Sequence, residues 1–304
     1  MATLGTMFGA KDAATFMGLP GWDRGAAPAV LIGADGCTPY PSVGFYCAGG
    51  PAAIRAASGD FAGSLAHHNF DIDAPAFGDR HPADAGDLPV REDDPTGNRV
   101  LIRDMVAQVL AQGAVPVLLG GDDSLPIPML QAFEGQGPLT ILQIDAHIDW
   151  RDEVEGERWG LSSTMRRASE MPQVERIIQV GQRGMGSARP SDVEDALRWG
   201  VQFVPASRPD PVAEALDLVP PGAQVVICFD CDALDPSIMP GVIGRTAGGL
   251  SYNQALAIVR GVHRKARLRA MDLVEFMPSR DVDGLGAMTA AQLVAAVLGL
   301  LSRA

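Results

Sequence analysis

The chain has 304 residues, of which 47% are apolar and 20% charged, enough to bury a substantial core. It carries 24 Lys and Arg against 37 Asp and Glu, a formal charge of −13. Phosphate backbones need a basic stripe, so this balance disfavours nucleic acid as a partner; it suits solubility, small cationic ligands and divalent metals.

Residues 1–21 lack the basic-then-apolar order of a secretory signal, and no apolar run reaches the length of a membrane span. Ala29-Val30-Leu31-Ile32-Gly33 is the first of several short, continuously apolar runs. Residues 70–97 are rich in Asp, Pro and Gly and are expected to form loops. In residues 99–112, Leu101, Met105, Val109 and Leu110 recur at helical spacing. Further apolar runs occupy 115–119, 139–144 and 177–180. Arg166-Arg167 reads as a solvated helix start, with contact to an anionic substrate tail as the alternative. Runs at 224–229 and 268–276 follow, and 252–265 and 289–302 look helical, the latter with Thr289 as N-cap. Cys228 and Cys231 sit on and just beyond a strand, facing opposite sides, so they do not read as a chelating pair. With Cys37 and Cys47 they suggest a reduced, cytoplasmic protein.

Continuous apolar runs indicate strands covered on both faces. Their alternation with helices predicts an α/β fold, a three-layer sandwich with a mostly parallel central sheet, as a single domain over 1–304. Ligands in such folds bind beyond the carboxyl ends of the strands. Three polar clusters stand there: Gly120-Gly121-Asp122-Asp123-Ser124, Asp145-Ala146-His147-Ile148-Asp149 and Asp230-Cys231-Asp232, the last followed by Asp235-Pro236. Asp145, His147 and Asp149 are spaced by two, as are Asp230 and Asp232, so an extended backbone would aim each set one way. Carboxylates gathered so closely repel one another, and a bound cation relieves the repulsion. A carboxylate-rich set with one imidazole suits Mn²⁺ first, with Ni²⁺ as the second candidate.

These motifs, in this order, resemble those of the ureohydrolase (arginase/agmatinase) family. Gly49-Gly50-Pro51-Ala52-Ala53-Ile54-Arg55, Asp84-Ala85-Gly86-Asp87-Leu88 and Met271-Asp272-Leu273-Val274-Glu275 extend the resemblance over nearly the whole chain, on the agmatinase side of the family. It implies the arginase-like fold and two divalent ions. Asp145 and Asp230 would span both, Asp149 would complete the first site, and His147 and Asp232 the second. It implies hydrolysis of a guanidino compound to urea and an amine by a metal-bridging hydroxide. Asp149 would orient the hydroxide and Glu275 would bind the guanidinium. Trimers or hexamers are implied in the same way. Agmatine is the default substrate, with guanidinobutyrate, guanidine and a substituted guanidine or biguanide beside it.

Two positions depart from the family pattern. Asp123 stands where relatives carry His, and as a carboxylate it is expected to remain a metal ligand. Trp159 stands near a loop His of many relatives and offers an aromatic face to a cation, or packs beneath its loop. Asp122 is expected to orient its turn or a metal ligand, and Asp235-Pro236 to shape the loop after the metal strand. The departures motivate an alternative: a catalytically weak subunit assembling with an active paralogue.

Overall fold

The computed structural model describes Met7, residues 14–186 and residues 188–303, so most of the stretch read for a leader lies outside the described residues. The apolar runs become strands β1 (Ala29–Gly33), β5 (Val115–Leu119), β6 (Leu139–Ile144), β7 (Val174–Val180), β9 (Gln224–Asp230) and β10 (Arg267–Val274). With β4 (Ala83–Asp87) and β8 (Gln202–Val204) they form an eight-stranded sheet in the order β4-β1-β5-β10-β9-β6-β7-β8. Every pairing in it is parallel.

Alternate strand residues feed two cores. Leu31, Val117 and Leu119 face the layer containing α1 (Gly50–Ser58), α6 (Pro211–Leu218), α7 (Tyr252–Lys265) and α8 (Leu285–Leu301). Val30, Ile32 and Leu118 face the layer of α2 (Pro95–Ala111), α3 (Pro126–Gln131), α4 (Thr164–Ser169) and α5 (Pro190–Trp199). This is the expected three-layer arrangement. Cys228 lies in one core and Cys231 in the other, and all four cysteines are buried and free. No helix among the described residues is long and apolar enough to cross a membrane.

Three local expectations need correction. Residues 70–97 are not all loop: they hold β3 (Ala74–Pro75), paired antiparallel with β2 (His68–Asn69), and the edge strand β4. Strand β4 escaped notice because Ala-Asp-Ala-Gly-Asp at a sheet edge carries no apolar run. Thr289 does not cap the last helix, which starts at Leu285. The Asp281 carboxylate accepts from Gly286 N and Ala287 N there, and Thr289 instead bonds back to Leu285 O. Arg167 is not solvated: it is 2% exposed and paired with Asp152 at 2.7 Å and Glu170 at 3.1 Å.

Two segments quoted from the sequence meet in space. Arg55, at the end of the Gly-Pro-x-x-Ile-Arg segment, forks onto Asp84 through Nε at 2.8 Å and Nη2 at 3.0 Å, and also pairs with Asp87. This joins α1 to β4 in a nearly water-free place, where removing one partner strands the other's charge. Arg55→Met is therefore expected to cost about 3 kcal/mol or more in urea unfolding. A loss below about 1 kcal/mol would show that the pair is not structural.

Candidate metal centre

The motif-bearing strands are neighbours. Strands β5, β6, β9 and β10, consecutive motif carriers in sequence, lie side by side as β5-β10-β9-β6. Leu119 and Phe229 are both register partners of Leu273, and Ile144 is the partner of Phe229, so the four strands end at one level. Their parallel direction delivers all the following residues to one edge of the sheet. The β5 end is tied to β10 by Gly120 N to Leu273 O and by Glu275 N to Gly121 O, at 2.8 and 2.7 Å. Gly121 packs so tightly on Gly36 that a Cβ would lie 2.5 Å from its Cα; only glycine fits.

The side chains converge through turns rather than through extended parity. β6 stops at Ile144, and Cys231–Ala233 is a 3-10 turn. In both motifs the first Asp accepts from the backbone N–H two residues on. Asp145 Oδ1 takes His147 N and Asp230 Oδ1 takes Asp232 N, each at 2.6 Å. This local Asx bond is a competing partner that ends a strand. Asp149 and Glu275 both hold left-handed backbone, φ 44° and 66°. For residues with a Cβ that costs on the order of 1–3 kcal/mol, a strain that tends to collect at functional sites.

Two groups of ligand atoms result, each lying within 4.8 Å: Asp145 with His147 and Asp232, and Asp123 with Asp145 and Asp149. Asp145 belongs to both. Asp230 falls outside both groups but is buried beside them, 4% exposed. Glu275 lies against Asp123. Its Oε1 accepts from Tyr46 Oη at 2.5 Å and from Asp123 N at 2.8 Å. Asp123 keeps one buried oxygen, Oδ2, with no hydrogen-bond partner among the described residues. A buried carboxylate oxygen left unbonded is costly, and a cation would satisfy it. The donor set and this orphaned oxygen fit a pair of divalent ions.

Protons do what cations would. Burial, then the charges of Asp149 and Asp145, pushes the Asp123 carboxyl well above its usual range. Burial and Asp145 do the same to Asp149, and burial and Asp232 to Asp230. Asp232 is raised by burial and by Asp145. Glu275 is pushed up to about 8, chiefly by burial. Burial opposes charge on His147 too, but its bonds to Asp145 and Asp232 outweigh it and raise the imidazole to about 12. His147 Nδ1 lies 3.0 Å from Asp232 Oδ2. Asp145 is held low: burial acts upward, but the His147 and Asp149 hydrogen bonds and the His147 charge prevail.

The remaining expected residues sit around this cluster. Asp122 orients its turn, accepting from Cys37 N and Ser124 N at 3.2 and 3.0 Å. Asp235 shapes its loop through Ser237 N and Gly248 N. Trp159 is half-buried, with the guanidinium of Arg99 5.5 Å from its ring centre, so the cation it faces is the chain's own. Four participants were not legible beforehand: Tyr46, Arg183, Gln143 and Gln179. Arg183 staples the loop after β9 by donating to Asp232 O at 2.6 Å and Thr246 O at 2.8 Å. Gln143 and Gln179 did leave a signal: each is the one polar residue inside an apolar strand end.

The Arginase family model matches residues 42–299. The mitochondrial agmatinase of Gallus gallus is 33% identical over 264 residues, covering 83% of this chain and 75% of that one. The mitochondrial arginase 1 of Arabidopsis thaliana is 36% identical over 234 residues, 72% of this chain and 66% of that protein's length. Among solved structures, the proclavaminate amidino hydrolase of Streptomyces clavuligerus superposes with a TM-score of 0.82. It is 26% identical, over 97% of this chain and 98% of that one.

Proposed function

The chain belongs to the arginase family, and on that premise we propose that it hydrolyses a small cationic guanidino compound to urea and an amine. The observation that carries this is the pair of candidate ligand groups sharing Asp145, with Glu275 hydrogen-bonded to the Asp123 amide. Asp123, Asp145, Asp149 and Asp230 would hold one divalent ion, and His147, Asp145, Asp230 and Asp232 the other. Mn²⁺ suits this oxygen-rich set best, with Ni²⁺ second. When bound, the ions would lower the pKa of a coordinated water into the neutral range and so supply a hydroxide nucleophile.

The protein groups divide the remaining work. Both bonds to Glu275 fall on Oε1, which leaves Oε2 to accept guanidinium N–H groups. Tyr46 and the Asp123 amide thereby fix the direction in which the substrate is presented. Asp149 Oδ2 is engaged by Gln143, so Oδ1 is the atom placed to take the proton of the attacking water. The walls are acidic and buried, which selects a cation. The name of the agmatinase relative supports an agmatine-like substrate, beside guanidinobutyrate, guanidine or a biguanide.

The alternative, a catalytically weak or inactive subunit assembling with an active paralogue, rests on Asp123 and Trp159 standing where relatives carry His. Asp123 remains within 4.8 Å ligand reach of Asp145 and Asp149, which favours a working site. A panel of guanidino compounds with Mn²⁺ or Ni²⁺, alongside metal analysis, tests the reading. We expect two ions per chain and urea release above a chelator-treated control. No urea and no amine from any of them, with both ions bound, would sink the activity.

A further inference from the structure

Beneath the carboxylates runs a buried polar row. Gln179 on β7, Gln143 on β6, Cys228 on β9 and Asp272 on β10 are successive register partners across the sheet. Gln143 and Gln179 are at most 1% exposed. Amides in such a place cost free energy unless bonded, and of their four polar atoms all but Gln179 Oε1 find a partner among the described residues.

Gln143 Nε2 donates to Asp145 Oδ2 at 2.6 Å and to Asp149 Oδ2 at 2.5 Å. Gln143 Oε1 accepts from Gln179 Nε2, which also reaches Ile148 O at 2.9 Å. The amide orientation is forced, since an oxygen turned towards two carboxylates would be repelled. Each amide hydrogen thus has its own carboxylate. A lysine here would repel a cation, and a glutamate would add a further negative charge. An amide holds the two acids together at any pH, having no proton to lose near neutrality.

We propose that Gln143, clamped by Gln179, is a positioning residue that sets the separation of Asp145 and Asp149 and thereby selectively tightens the metal position they share with Asp123. The inference rests on the metal-pair reading above. The asymmetry follows from the contacts. Gln143 bonds two of the three acids in the Asp123 group, but only Asp145 in the His147 group. Groups behind metal ligands typically govern affinity by about 10- to 100-fold.

The test is stepwise Mn²⁺ titration of the whole protein by calorimetry, with electron paramagnetic resonance to separate single from paired ions. Wild type should take up two ions and show the paired signal. Gln143→Leu should bind one ion with wild-type affinity and the other about 10- to 100-fold more weakly. The single-ion signal should then persist well past one equivalent. Gln179→Leu, which touches no carboxylate, should weaken the same ion by a smaller factor and serves if Gln143→Leu does not fold. Unchanged affinities in the variants, or equal weakening of both ions, overturn the inference and leave the metal pair standing. A wild-type protein that binds fewer than two ions overturns the metal pair and this inference together.

Discussion

Asp145→Asn is expected to cost both metal ions and at least about 10³-fold in urea release, the largest loss of any single substitution here. Asp145 is the one residue present in both ligand groups, is fully buried, and is the carboxylate held lowest among its neighbours. It is therefore the acid that its protein neighbours best prepare to stay charged. An amide at this position lacks the charge and turns an N–H donor towards the ions. Metal Lewis acidity contributes several kcal/mol to such hydrolyses, and each 1.4 kcal/mol is tenfold in rate. Asp232→Asn touches only the His147 group and should retain one ion. Metal analysis and urea release on both variants, with circular dichroism to confirm the fold, read the difference. An Asp145→Asn protein that keeps both ions would remove the reason for calling Asp145 a shared ligand.

The pattern of strands and their carboxyl-end clusters was readable because it depends on burial. A strand covered on both faces is apolar along most of its length, and a polar cluster beyond it has nowhere to go but the sheet edge. The order β5-β10-β9-β6 was not readable, since parallel neighbours are joined by long crossovers and the chain order does not say which strand returns where. Extended parity pointed to residues that do gather, but for a wrong reason. Asp145 and Asp230 each capture the N–H two residues on, and the turn so made replaces the strand. Tyr46 stayed hidden because it reaches Glu275 across 229 residues of sequence. Strand β4 stayed hidden because an edge strand of Ala, Gly and Asp looks like a loop. The Gln143 and Gln179 pair was visible in outline, as two amides in apolar strands, but their shared register could not be known.

The metal-free protein should lose stability as pH rises, and the metal-loaded protein should not. Glu275 moves from an ordinary 4.5, and Asp272 from 3.8, to about 8 in the fold, each mainly through burial. Both acids thus stay protonated in the folded chain where the unfolded chain has released its protons. Between about pH 4.5 and 8 the folded state binds more protons, so the unfolding free energy falls with rising pH. His147, raised to about 12, acts in the same direction above its ordinary 6.5. Between pH 5.5 and 8 the two acids together account for a loss on the order of 6 kcal/mol, or roughly 10 °C in melting temperature. Divalent ions bind the deprotonated carboxylates, so their contribution grows over the same interval. With Mn²⁺ the slope should flatten or reverse. Asp272 separates the two effects: it lies on β10 below the cluster, bonded to Phe229 N at 2.9 Å, and is in neither ligand group. Asp272→Asn should reduce the pH slope of the metal-free protein while leaving two ions bound. Melting curves in chelator at pH 5.5 and 8 decide the matter. A metal-free protein that is more stable at pH 8 would mean the carboxylates are already balanced by something other than protons.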